Sequence, residues 1–252
     1  MSLPLPVFDH LVINARDRMD DAEACYRGLG FALTPRGYHT LGSINHCAVF
    51  GDDYLELVGV PKDAEKIRGE ILNFPEGLNG IVFATDDADA LYSVLSAAGA
   101  PVEPAAAFSR PVIINGKPED AKFRVVRVKA DAVPYGRVYF CQHLTRELVW
   151  RDEWRGHPNG ATALARAVIL APRPDQTAAL YRALFGATAL KPVTNGLSLA
   201  IGKARLDILT QEWGIKAGSE DRLAGLSVRT QRTKRLVPAS EAFGSVLEFV
   251  AS

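Results

Sequence analysis

Residues 78–87, LNGIVFATDD, lie without a gap on residues 8–17, FDHLVINARD, and an internal repeat of this kind constrains the fold more than any local propensity does. In each copy an apolar strand ends in polar residues. A helix follows: Met19 to Leu29 sets Ala22, Cys25, Tyr26 and Leu29 at helical spacing before Gly30, and Ala88 to Ala98 stands in the same place before Gly99. Three strands should close each copy. In the first they are expected at Ala32 to Arg36, Ile44 to Phe50 and Tyr54 to Val60, the last two joined by the tight polar turn Gly51-Asp52-Asp53. In the second they are expected near Pro111 to Asn115, Phe123 to Val128 and Val138 to Trp150, where Glu147-Leu148-Val149 repeats Glu56-Leu57-Val58. The unit reads βαβββ.

A third copy starts at Ala165, continues through a helix expected at Gln176 to Leu184 and closes at Leu206 to Leu209. A fourth, from Gly225 to Val250, has too few residues for a full helix and three strands. The expected fold class is α+β, with repeated βαβββ modules paired into curved mixed sheets, helices outside and the concave face open to a ligand. Gly156, Pro158 and Gly160 break regular structure between the halves. This suggests paired modules with the candidate site over residues 1–151, a linker over 152–162, and a structural third module plus shortened fourth over 163–252.

Charge and composition narrow the function. Lys plus Arg and Asp plus Glu both number 29, and no stretch concentrates one sign as a phosphate-backbone track would, which argues against a nucleic-acid partner. Met1 to Pro6 lacks the basic and apolar regions of a signal peptide, and no apolar run approaches the roughly 20 residues of a membrane helix. A cytoplasmic location is expected, with Cys25, Cys47 and Cys141 as reduced thiols. The sequence has no GxGxxG after a strand, P-loop, CxxC or GxSxG, and no organic cofactor is indicated.

DHLVINARD at the start, GDDYLELVGV from Gly51 to Val60, CQHLTRELVWR from Cys141 to Arg151 and HPNGA from His157 to Ala161 together resemble the vicinal oxygen chelate superfamily (glyoxalase, bleomycin resistance and extradiol dioxygenase), and within it the glyoxalase-like domain proteins. The resemblance implies a cup in which the first and last strands of paired modules ligate a divalent metal that holds two neighbouring oxygens of a substrate. His10 and Glu56 match the first and second ligand positions. The third falls on Gly80, which offers no donor, and the fourth on Glu147. Alternation puts Cys141, His143, Thr145 and Glu147 on one face of an unbroken strand, so His143 is the candidate to supply the missing nitrogen. The metal set His10, Glu56, His143 and Glu147 would suit Fe, Mn, Ni or Zn.

Alternation also turns Phe8, His10 and Val12 to the cup and Asp9, Leu11 and Ile13 to the helices. Glu56, flanked by Leu55 and Leu57, needs a cation or hydrogen-bond donors if it is buried. Glu56 and Glu147 are the expected proton-transfer groups; Tyr54, His46, Asn79 and Cys141 are the expected substrate contacts. Arg36, Arg110 and Arg124 are further candidates to grip an anion, although each is of a type more common at the surface. In the C-terminal half Arg166 takes the place of His10 and Asp207 that of Glu56, so an ion pair is expected there and not a second site. The function implied is a divalent-metal-dependent lyase or isomerase that acts on a small oxygenated metabolite through a metal-stabilised enediolate. A metal-free small-molecule-binding protein and an extradiol-type dioxygenase are the alternatives, and the arrangement is compatible with a homodimer.

Overall fold

The opening strand, β1 (Phe8–Arg16), lies at the centre of an eight-stranded mixed sheet in the computed structural model, which describes residues 2–63, 68–114 and 116–252. The first module continues with α1 (Met19–Gly28), β2 (Gly37–Tyr38), β3 (Ile44–Val49), β4 (Tyr54–Gly59) and a short α2 (Gly69–Leu72). The second comprises β5 (Gly77–Ala84), α3 (Ala88–Ala97), β6 (Ala106–Ile114), β7 (Lys117–Arg127) and β8 (Arg137–His143). Across the sheet the order is β2-β3-β4-β1-β5-β8-β7-β6. The modules therefore meet at the antiparallel β1–β5 pair, and each first strand lies parallel to the last strand of its own module. The outer edges also approach: the Thr40 N–H, just beyond β2, donates to the Ser109 carbonyl of β6 at 3.1 Å, curling the sheet into a cup.

A second sheet follows, built from β9 (Ala161–Leu170), α4 (Pro174–Phe185), β10 (Leu190–Val193), β11 (Gly196–Ile201) and β12 (Ala204–Leu209). A small hairpin, β13 (Gln211–Glu212) with β14 (Ile215–Lys216), precedes β15 (Arg222–Thr230), β16 (Arg235–Val237) and β17 (Val246–Ala251). The seven strands run β10-β11-β12-β9-β15-β17-β16. Among the described residues no helix separates β15 from β16, and a single 3₁₀ turn, Ala239–Glu241, lies between β16 and β17.

Side chains sort by period two. Val12, Val49, Val58, Val82 and Phe123 line the inside of the cup, while Leu11, Ile13, Leu55, Leu57, Ile81 and Phe83 face the helices. The helix-bearing faces of the two sheets share one core. Phe83 meets Phe185 edge-on at 4.8 Å, Phe31 stacks on Phe249 at 5.8 Å, and the Tyr135 and Tyr181 hydroxyls bond at 3.0 Å. Burying each such ring contributes roughly 1.5–3 kcal/mol, so the two halves stabilise one another mainly through apolar contact. His157 pins the connection: its Nδ1 accepts from the Ala32 N–H at 3.1 Å and its Nε2 donates to the Val49 carbonyl at 2.9 Å.

Two expected strands are corrected. Ala32 to Arg36 forms no strand, because Pro35 has no N–H and Thr34 Oγ1 accepts the Cys47 N–H that a strand carbonyl would take; the short β2 follows instead. The strand expected from Val138 to Trp150 ends at His143, and Arg146–Leu148 turns as a 3₁₀ helix that buries Leu148, Val149 and Trp150 against the cup wall. Asn115, at the end of another expected strand, lies outside the described residues. The three cysteines are free, and no helix among the described residues is long and apolar enough to cross a membrane.

Asp53, at the β3–β4 turn, accepts the Leu164 N–H of β9 at 3.0 Å. Burial pushes its carboxyl up to about 7, against the opposing effect of that N–H and with a further rise from Asp52. Below about pH 4 both folded and unfolded states hold the proton; between there and about 7 only the folded state does, so this group costs stability as pH rises and the cost is constant above 7. Asp53→Asn, which keeps the acceptor oxygen, should therefore raise the denaturation midpoint at pH 8 and leave it nearly unchanged at pH 4. Equal shifts at both pH values would contradict the assignment.

Candidate active site

The β1–β5 register slips by one residue between Phe8, opposite Phe83, and His10, opposite Val82. This β-bulge leaves Asp9 as the extra residue, so its carboxylate enters the cup beside His10 while Phe8 stays on the helix side, stacked on Phe83. Strict alternation had placed both residues the other way round. Asp9 Oδ1 accepts from His10 Nδ1 at 2.5 Å and from His143 Nε2 at 3.0 Å. Burial alone would raise the Asp9 pKa, but His143 and His10 together outweigh it and hold the carboxyl at about 2. A fully desolvated carboxylate is stable here because two N–H groups face one oxygen.

With Nδ1–H committed to Asp9, His10 keeps a lone pair on Nε2, and the Tyr139 hydroxyl lies 3.1 Å from it. Burial holds the Tyr139 phenol well above its ordinary pKa, so it retains the proton it donates. Tyr54 stacks on the His10 ring at 4.3 Å and fixes its plane. Glu56 Oε2 stands 3.6 Å from the same Nε2, and Glu56 Oε1 accepts from Asn45 Nδ2 at 2.7 Å. His39 Nε2 approaches Glu56 Oε1 at 4.0 Å, its Nδ1 meets Ser43 Oγ at 2.9 Å, and burial lowers its pKa to about 4 despite Glu56. His10, His39, Asn45, Tyr54, Glu56 and Tyr139 border a cavity of about 340 Å³; apolar side chains, Val58, Phe108, Phe123, Val125 and Cys141 among them, supply most of its remaining surface, and Arg68, Glu70, Glu103, Arg110, Arg127 and Arg137 also line it.

The expected site residues divide accordingly. His10, Glu56, Tyr54 and Cys141 line the cup. His143 sits behind it among Tyr54, Phe123 and Trp150, with Nε2 engaged by Asp9 and Nδ1 buried without a partner. Glu147 is exposed on its 3₁₀ turn, away from the cavity, because the strand that was to carry it inward has already ended. His46 faces the helices: Nδ1 donates to the Thr34 carbonyl at 2.8 Å, and Nε2 meets Arg36 at 3.2 Å and Glu23 at 3.0 Å. Asn79 does not border the cavity; its Oδ1 accepts from Arg137 Nε at 2.8 Å and positions that side chain.

Asp9, Asn45 and Tyr139 are site residues that alternation and motif matching missed. Strand pairing, unlike the repeated Glu-Leu-Val, identifies the second-module counterpart of Glu56. Val12 pairs with Glu56 across β1 and β4, and Val82, its counterpart in the repeat, pairs with Tyr139 across β5 and β8. In the C-terminal sheet the corresponding centre is filled by a charged side-chain network: Asp207 accepts from Arg166 Nε, from Arg205 at 2.9 Å and from Ser198 at 2.5 Å, and Arg166 also reaches Glu212 at 2.9 Å.

The donors present do not fit a resident transition-metal ion. His10 and Glu56 occupy two of the four family positions, but the other two carry Gly80 and a protonated phenol, Tyr139. No ligand side chain would have room at position 80, since a Cβ there would come within 2.9 Å of the Val12 side chain. Among the described residues, Asp9, Cys141 and His143 bring three donor atoms within 4.8 Å of one another. Asp9 there already accepts two N–H groups, and burial holds the Cys141 thiol well above its ordinary pKa, against the thiolate a metal requires.

Comparison with known proteins accords with this architecture. The family model described as a glyoxalase-like domain matches residues 8–185. Comparison with curated proteins finds no match. Among solved structures, a hypothetical protein from Staphylococcus aureus superposes with a TM-score of 0.76 at 16% identity, covering 98% of this chain and 100% of that one. A triple mutant of 4-hydroxymandelate synthase from Streptomyces coelicolor gives a TM-score of 0.56 at 12% identity, covering 94% and 78%. A xylose isomerase-like TIM barrel/4-hydroxyphenylpyruvate dioxygenase fusion protein gives 0.56 at 14%, covering 92% of this chain and 37% of that one. At these identities the structural likeness speaks to the fold alone. With the family model matched over most of its length, the chain belongs to the glyoxalase-like domain family.

Proposed function

We propose that the N-terminal cup catalyses proton transfer at a carbon next to a carbonyl in a small oxygenated metabolite, a lyase or isomerase chemistry carried by the chain's own acid–base groups. The observation that supports this reading most is the setting of His10, whose Nδ1 meets Asp9 at 2.5 Å while its Nε2 stands 3.1 Å from the Tyr139 hydroxyl and 3.6 Å from Glu56 in a largely apolar cavity. As substrate enters, the Tyr139 O–H turns from His10 Nε2 to the substrate carbonyl; the freed Nε2 takes the carbon-bound proton, and Asp9 stabilises the imidazolium that results. The electron pair moves onto the carbonyl oxygen, where the Tyr139 O–H donates to the developing enolate. Glu56 is placed to exchange a proton at the neighbouring carbon or oxygen, which would complete a 1,2-shift. The C-terminal sheet, with its centre occupied by the Arg166–Asp207 network, has a structural role in this reading.

Two experiments test the reading. The first follows loss of carbon-bound proton signals by NMR in D₂O, using 2-oxo and 2-hydroxy carbonyl compounds, pyruvate and lactaldehyde among them. Exchange should persist after chelator treatment, fall by about 10²–10⁴-fold in His10→Ala, and be unchanged in Glu147→Gln. A chelator-sensitive rate would restore the metal-dependent mechanism, and an unaffected His10→Ala would remove the base. The second is ¹⁵N NMR of the histidine rings: His10 should show the Nδ1–H tautomer in the wild type and lose that preference in Asp9→Asn. The Nε2–H tautomer in the wild type would contradict the relay.

A further inference from the structure

On β6 the side chains of Phe108, Arg110, Val112 and Ile114 share the face that turns into the cup. Arg110 thus stands where the pattern places an apolar residue, and it is 4% exposed. Its guanidinium borders the cavity, yet among the described residues it has no ion pair and no hydrogen-bond partner. The other two arginines singled out from the sequence are satisfied elsewhere, Arg36 by Asp20 and Glu23 and Arg124 by Asp89. Burying an unpaired guanidinium costs several kcal/mol, and a fold tolerates that where an anion arrives to compensate it.

The surroundings reinforce this. Arg137 also borders the cavity; its Nε is held by Asn79, and one terminal nitrogen is buried without a partner. Arg110 is packed from behind by Gly37, where an added Cβ would overlap Asn45 Oδ1 and come within 3.1 Å of the guanidinium. That close packing sets Arg110 beside Asn45, which holds Glu56. Phe108 and Phe123, stacked at 4.9 Å, form an apolar wall next to it.

We infer that the cup takes an organic oxyanion, a carboxylate or a phosphoryl group on a compact apolar or aromatic body, gripped by Arg110 with Arg137 in support. The inference rests on the cup being the substrate site and adds the class of substrate: the anion docks at Arg110 and leaves the neighbouring carbon to face His10. A planar guanidinium fork suits either oxyanion through two parallel N–H···O bonds.

Isothermal titration of the full chain with phenylacetate, phenylphosphonate and the neutral phenylacetamide tests this directly. The preferred anion should bind about 10- to 100-fold more tightly than the amide, the range expected for hydrogen bonds to a charged group. A carboxylate preference or a phosphonate preference both support the clamp and say which oxyanion it takes. Arg110→Met, which keeps the apolar stem, should abolish the advantage of the anion without weakening the amide. Equal binding of anion and amide by the wild type, no binding of either anion at millimolar concentration, or an Arg110→Met variant that still discriminates would each overturn the inference; the wild-type comparison stands even if the variant fails to fold. His10→Ala should retain the anion preference. Its retention together with unchanged proton exchange would therefore defeat the proposed base and leave the clamp intact, while loss of the wild-type preference would defeat the clamp alone.

Discussion

A single carboxylate oxygen shared by two imidazoles organises the N-terminal half of this protein. Asp9 is buried in a wall of valine and aromatic side chains, where an uncompensated charge would cost several kcal/mol. It is tolerated because β1, through His10, and β8, through His143, each bring an N–H to it. The two strands belong to different modules and are separated in the sheet by β5, so the contact ties the modules together across the floor of the cup. It also decides chemistry, because it commits one nitrogen of His10 and leaves the other turned toward Tyr139, Glu56 and the cavity.

The rest of the cup follows from that commitment. Tyr54 stacks on His10, Asn45 holds Glu56, and Gly80 lets Val12 fill the place where a further ligand would stand. Around Glu56 the cup presents the His10 and His39 imidazoles together with the Tyr139 phenol. That set is suited to moving protons. The second sheet repeats the frame with a different centre: a guanidinium replaces the imidazole and closes on Asp207, converting the equivalent of a site into a buried salt bridge.

Much of the fold was legible in the sequence, because a gapless repeat, helical spacing and turn residues each report local constraints that survive packing. The inward faces of His10, Tyr54, Glu56 and Cys141 followed from period-two alternation for the same reason. Asp9 did not, since a bulge is a property of the pairing between β1 and β5 and leaves no mark in either strand alone. Glu147 misled through an identical tripeptide: Glu-Leu-Val is strand in one module and a 3₁₀ turn in the other, where Leu148 and Trp150 are drawn into the wall. His46 was placed one step out of register with its neighbours Asn45 and Cys47, which do face the cavity. Arg110 was visible as a candidate, but its burial depends on how β6 closes the sheet against β2.

The measurement that bears most directly on this account is a ¹³C NMR titration of the Asp9 side-chain carboxyl in the folded chain. If both imidazoles donate to it in a buried cup, its signal stays at the ionised position from pH 7 down to pH 3 and moves only as the pH approaches about 2. A titration at or above the ordinary value of 3.8 would mean that Asp9 is not held between His10 and His143, and the relay built on it would fail.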